Sequence, residues 1–277
     1  MSTVTGRWTA EVRGAPDAGV RLFCCAHAGG GPAGFRSWQR EFGQDVDIRP
    51  VLLPGRESRS REQPLRRMAD IVGPLCDGLL PLLDRPYALF GHSLGAALAY
   101  EVARELAARG WGEPRHLFVS ARRAPHLPSR RARLHDLPHD RFTAAVARMG
   151  GTPPEVLSHP ELLNAFTPCL RADFEVNETY TPLPGGLLGC DVSAVVGRLD
   201  PEVEADEMAA WRDTTRGGFG LRVVDGDHFY LKETPGDLFA LFRDGLDLPA
   251  RTRTPVPHPP THRTHSHSPT PLPEPTS

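Results

Sequence analysis

Nowhere does the chain contain a run of roughly 18 consecutive apolar residues, so no segment is expected to cross a bilayer. Its opening, "MSTVTGRWTAEVRGAPDAGV", lacks the apolar stretch of a secretory signal, and the expectation is a cytoplasmic protein, neither exported nor membrane-bound. An excess of one charge is also missing: 32 Lys and Arg stand against 34 Asp and Glu, a net charge of −2. A nucleic-acid binder would be expected to carry a basic footprint, so that class is set aside. The five cysteines, Cys24, Cys25, Cys76, Cys169 and Cys190, are odd in number, sit in apolar surroundings and show no C-x-x-C spacing. Neither a disulfide framework nor a structural metal site is expected, and they read as reduced, buried thiols.

What remains is a chain of 277 residues with an ordinary apolar share, long enough for one large α/β domain. Short apolar runs alternate with amphipathic stretches: "VRLFCCAHA", "FRSWQREF", "VDIRPVLLPG", "MADIVGPLCDGLLPLL", "YALFGHS", a helical pattern after Ser93, then "RHLFVSA". Such alternation predicts parallel strands joined by crossover helices. After Ala121 the rhythm gives way, over about 122–186, to proline-broken helical patterns that read as an insertion. Strands resume with "CDVSAVVGRLDP" and "GLRVVDGDHFYL", with helices near Ala205 to Thr214 and Asp237 to Leu246. From residue 250 the Pro-, Thr-, Ser- and His-rich tail has almost nothing to pack and is expected to be disordered. Its histidines, His258, His262, His265 and His267, read as solvated rather than as a metal site. The expected organisation is an N-terminal extension over 1–19, a domain over 20–249 and a tail over 250–277.

Gly91-His92-Ser93-Leu94-Gly95 is a G-x-S-x-G pentapeptide lying between a strand pattern and a helix pattern. In that context the glycines permit the sharp turn that exposes a serine Oγ above the sheet, although an N-cap serine in a plain turn is the competing reading. A nucleophilic serine needs a histidine base and a carboxylate to orient it, following in the order serine, acid, histidine. His228 follows the last strand pattern and is the best base; His116, His126, His135, His139 and His159 lie at a strand start or in the insertion. Asp200 closes the preceding strand pattern, at the carboxyl end where parallel-sheet sites form. Asp191 begins that strand, Glu202 and Asp206 remain alternatives, and Asp227 reads as a turn residue. For the oxyanion, the N–H of Leu94 and one from the loop "CAHAGGGPAGF" are expected, Ala28 before Gly29. Gly29 to Gly34 formally matches a dinucleotide fingerprint, but a proline inside it and no ribose-binding acid after the next strand argue against nucleotide binding.

The blocks "LFCCAHAGGG", "FRSW", "LLPGRE", "ALFGHSLGA", "LFVSARRAP", "GGTPPEVL", "LRADFEVNETY", "GRLDP" and "GDHFYL", in that order from Leu22 to Leu231, resemble the type II thioesterases of polyketide synthase and nonribosomal peptide synthetase systems. The resemblance implies an α/β-hydrolase fold: a mostly parallel central sheet, helices on both faces and a helical lid. It implies hydrolysis of acyl or aminoacyl groups from the phosphopantetheine arm of acyl or peptidyl carrier domains. Ser93 falls at the nucleophile, Asp200 at the acid, His228 at the base, and Ala28 and Leu94 at the oxyanion donors. Ala26 stands where the family often has proline, and Leu94 where it often has methionine. No metal or cofactor is implied, because the pantetheine arm belongs to the substrate. Carrier domains are acidic, so Arg130, Arg131 and Arg133 are candidates for a docking surface, and a monomer is the expected state. Phe142, Met149, Leu162, Phe166 and Phe174 are candidates for lining an acyl chamber, with helix packing the alternative. A carboxylesterase or lipase using the same residues, or a non-catalytic carrier-binding protein, are the competing functions.

Overall fold

The computed structural model describes residues 8–10, 15–130, 132–152, 154–233 and 235–249. The tail over 250–277 and most of the N-terminal extension lie outside the described residues. Among these residues six strands form one parallel sheet in the order β2-β1-β3-β4-β5-β6. They are β1 (Val20–Cys25), β2 (Val46–Pro50), β3 (Tyr87–His92), β4 (His116–Ser120), β5 (Asp191–Gly197) and β6 (Phe219–Val224). Each matches an apolar run of the sequence, although β6 stops at Val224 and "DGDHFYL" turns into a short helix instead of continuing the strand.

The fold is that of the α/β-hydrolases, and period-two alternation along the strands builds its two cores. Val20, Leu22 and Cys24 of β1 face one side, with Trp38 and Phe42 of α1 (Trp38–Phe42) and Leu238, Leu241 and Phe242 of a C-terminal helix (Pro235–Gly245). Phe23 and Cys25 face the other, with α2 (Met68–Leu79) and α3 (Leu94–Ala108). All five cysteines are buried and free. Trp8 packs into the second core, and Thr9 bridges to Val51, so residues 8–10 are tied to the edge beyond β2.

Among the described residues, three helices lie between β4 and β5: α4 (His139–Arg148), α5 (Pro154–Leu157) and α6 (Pro160–Thr179). They carry a separate small core of Phe142, Val146, Leu170 and Phe174, in which the Phe142 and Phe174 rings meet edge to face at 5.6 Å. After β5 come α7 (Ala205–Ala209), α8 (Tyr230–Glu233) and α9, the Pro235–Gly245 helix already met. Among the described residues no helix is long and apolar enough to cross a membrane. The strand order reverses between β1 and β3, so the loops leaving these neighbours diverge and open a crevice at the carboxyl edge of the sheet, where ligands of such sheets bind.

Candidate active site

Ser93 sits where β3 gives way to α3, with φ 56° and ψ −118°, a region that non-glycine residues rarely occupy. Its N–H donates to the Ser120 carbonyl at 2.8 Å, which pins the turn to β4. A Cβ on Gly91 would lie 2.0 Å from the Gly95 carbonyl oxygen, and one on Gly95 would lie 2.1 Å from that of Cys25. Both positions must be glycine for helix and strand to approach this closely. Although Ser93 holds the N-cap position, its side chain makes no capping hydrogen bond to α3. The plain N-cap reading of this serine therefore loses its physical basis.

Asp200 and His228, from the turns after β5 and β6, are brought together: His228 Nδ1 donates to Asp200 Oδ2 at 2.9 Å, with Oδ1 at 3.1 Å. Asp200 is held in turn by its own loop, because Oδ1 accepts the N–H groups of Glu202 at 2.7 Å and Val203 at 3.2 Å. The aspartate side chain is fully buried and that of the histidine nearly so. Ser93 and His228 line the same cavity of about 320 Å³. Of the alternative acids, Asp191 pairs with Gly218 N–H at the opposite edge of the sheet, and Asp227 accepts the N–H of Phe229 in a turn.

Two further histidine rings approach His228. His92 lies 5.2 Å from it and His27 lies 6.0 Å from His92. Burial pushes the His27 pKa down to about 4, and burial together with the neighbouring His228 and His27 rings pushes His92 well below the usual range. Both are neutral at neutral pH. His92 Nδ1 and Ser120 Oγ are 2.8 Å apart, and Ser120 Oγ and the Tyr230 hydroxyl 2.7 Å apart, a relay that fixes the ring beneath the site. Only His228 of the three is bound to a carboxylate.

The loop after β1 is positioned by a contact that sequence reasoning did not anticipate. Arg56 and Asp173 form a buried two-pronged ion pair at 2.7 and 2.9 Å, linking the loop after β2 to lid helix α6. Asp173 Oδ2 also accepts the Gly29 N–H at 2.7 Å, and Arg56 Nη1 donates to the Gly30 carbonyl at 2.8 Å. Burial opposes the Arg56 charge, but Asp173 more than offsets this and raises the guanidinium pKa. The Gly29 N–H is thus occupied within the protein, which counts against Gly29 as an oxyanion donor. Removing one partner of such a pair strands a buried charge. Asp173→Ala is therefore expected to lower unfolding stability by about 3–5 kcal/mol in urea denaturation; a loss under about 1 kcal/mol would show that the pair does not hold lid and loop together.

The remaining predicted residues divide. Met149 and Phe174 line the cavity, Phe142 is fully buried in lid packing, and Leu162 is exposed. Phe166 packs against the lid core and toward Gly29. Arg130 is exposed but paired with Glu204 at 3.0 Å and Glu207 at 3.1 Å; Arg133 is exposed; Arg131 lies outside the described residues.

Comparison with known proteins matches residues 20–244 to the thioesterase domain family. Thioesterase PikA5 of Streptomyces venezuelae is 38% identical over 84% of this chain and 83% of its own. Among solved structures, the RedJ thioesterase of the prodiginine pathway in Streptomyces coelicolor is 38% identical with a TM-score of 0.77, covering 86% of this chain and 89% of its own. The type II thioesterase YbtT of the yersiniabactin NRPS/PKS pathway is 32% identical with a TM-score of 0.76, covering 86% and 96%.

Proposed function

The chain belongs to the thioesterase domain family, and we propose that it acts as a type II thioesterase, hydrolysing acyl or aminoacyl thioesters from the phosphopantetheine arm of carrier domains in polyketide or nonribosomal peptide synthesis. Clearing stalled or aberrant groups from those carriers is the role this reading assigns. One observation carries the chemistry: a serine held in a strained strand-to-helix turn opens on the same cavity as a histidine whose Nδ1 is fixed by a buried aspartate.

In this reading Ser93, His228 and Asp200 form the triad. Ser93 Oγ attacks the thioester carbonyl carbon while His228 Nε2 takes its proton. The negative charge on the carbonyl oxygen is met by the N–H groups of Leu94 and Ala28. The C–S bond then breaks, the thiolate leaves with the proton from His228, and the acyl group remains as an ester on Ser93. A water deprotonated by His228 attacks that ester, and the carboxylic acid departs as Ser93 recovers its proton. Asp200 keeps the Nδ1 proton in place and stabilises the imidazolium that forms twice per turnover. No cofactor enters the scheme, since the pantetheine arm arrives with the substrate. The protein is taken to work as a cytoplasmic monomer.

An acidic carrier would meet the basic side of the lid. Arg130 and Arg133 belong to that surface, but the carboxylates beside Arg130 reduce its share of the attraction. The test compares an acyl-loaded carrier, the matching acyl cysteamine thioester and the matching oxoester. Expected is a kcat/KM that falls in that order, with Arg130→Glu plus Arg133→Glu raising KM for the carrier severalfold relative to the small thioester. An oxoester turned over faster than the thioester would replace this reading with an esterase.

A further inference from the structure

The cavity that Ser93 and His228 share has a mixed lining. Leu127, Leu134, Met149, Phe174 and Val203 contribute apolar surface, and Arg122, Asn177, Glu178, Tyr180 and Glu202 contribute polar surface. Arg122 directly follows Ala121, whose φ of 50° turns the chain at the end of β4. Its backbone is locked: the carbonyl accepts Trp211 Nε1–H at 2.6 Å and the N–H meets Met208 Sδ at 3.3 Å. The side chain is therefore delivered to the cavity wall from a fixed base.

Among the described residues no carboxylate lies within ion-pair distance of its guanidinium, although Glu178 and Glu202 line the same cavity. Nη1 donates to Asn177 Oδ1, the guanidinium lies 5.2 Å over the Tyr180 ring, and Nε is buried without a partner. The neighbouring arginines are different: Arg123 faces Glu207 and Arg130 faces Glu204 and Glu207. Burial lowers the Arg122 pKa to about 10, with Arg123 adding to the shift against Tyr180, so the group is still a cation at neutral pH. A purely structural tie from β4 to α6 would not require a charge, because an amide oxygen and a ring can be bridged by a neutral side chain. Burying an uncompensated guanidinium is costly unless something else completes its hydrogen bonds.

We propose that Arg122 is a specificity-determining residue that receives an oxygen acceptor on the acyl chain, so that the preferred acyl groups carry a carbonyl, hydroxyl or carboxylate and pack their hydrocarbon on the apolar residues of the same lining. This rests on the reading of the Ser93 site as a thioesterase. The Arg fork suits planar carbonyl and carboxylate oxygens, and a hydrogen bond to a charged donor discriminates strongly against an analogue lacking the acceptor. An unsubstituted chain offers the guanidinium no acceptor.

The test uses the full chain and cysteamine thioesters of hexanoate, its oxo and hydroxy derivatives, and the half-thioester of adipate; the neutral and anionic arms separate the two sources of oxygen. Wild type is expected to favour at least one oxygenated member over hexanoyl by about tenfold in kcat/KM. Arg122→Met is expected to collapse that ratio to within about twofold, while Arg122→Lys retains it for the carboxylate arm alone. Hexanoyl as the best wild-type substrate, or an unchanged ratio in Arg122→Met, overturns the proposal; the wild-type order decides by itself if the methionine variant fails to fold. Affinities of the matching non-hydrolysable thioethers, read by calorimetry, keep the two ideas apart. Tighter binding of oxygenated thioethers without any hydrolysis supports Arg122 and sinks the thioesterase reading. Hydrolysis with hexanoyl preferred does the reverse.

Discussion

Ser93→Ala is expected to lower kcat for thioester hydrolysis by about a million-fold, leaving only the residual catalysis that the oxyanion donors and binding provide. The size of the effect follows from the geometry. The Ser93 side chain makes no capping bond that its loss would break, and alanine occupies the same backbone conformation at similar cost, so melting should stay close to wild type. Loss of activity without loss of stability separates a nucleophile from a structural residue. The acylated carrier should still bind, and no acyl adduct should appear on the variant. A variant retaining a hundredth of wild-type turnover would mean that water, not Ser93, attacks the carbonyl.

Asp200→Asn is expected to cost about ten-thousand-fold in kcat, with little change in fold. The two oxygens of Asp200 have different tasks. Oδ1 accepts the Glu202 and Val203 N–H groups, and Oδ2 faces His228 Nδ1. An asparagine would keep its one oxygen on the two turn N–H groups, which turns its NH2 toward His228. That imposes the tautomer with the proton on Nε2, where the ring can no longer accept the Ser93 proton. Stopped-flow detection of released thiol would find acylation itself slowed. A loss below about tenfold would show that the carboxylate is not what orients the imidazole.

Both residues could be picked out from the sequence for a local reason. Gly91 and Gly95 mark a turn in which no side chain fits, and Asp200 and His228 each stand just beyond an apolar run at the same edge of the sheet. β1 and β3 are buried along their whole length, which made them readable as short apolar runs between amphipathic stretches. The Arg56–Asp173 pair was not readable as a contact. Its members lie 117 residues apart, and no local pattern joins the loop after β2 to a lid helix. Nothing local in the sequence tells Arg122, which lines the cavity, from Arg130 and Arg133, which stay exposed. The lid phenylalanines differ too: both pack in the lid core, but only Phe174 also lines the cavity, since an amphipathic pattern states which face is apolar but not what covers it.

The most direct measurement is intact mass of an acyl-loaded carrier domain mixed with a catalytic amount of this protein. The account predicts that the carrier loses the acyl mass and keeps its phosphopantetheine, over many turnovers with wild type and not at all with Ser93→Ala. A carrier that keeps its acyl group in the presence of wild type, or loses it equally fast with Ser93→Ala, would contradict it.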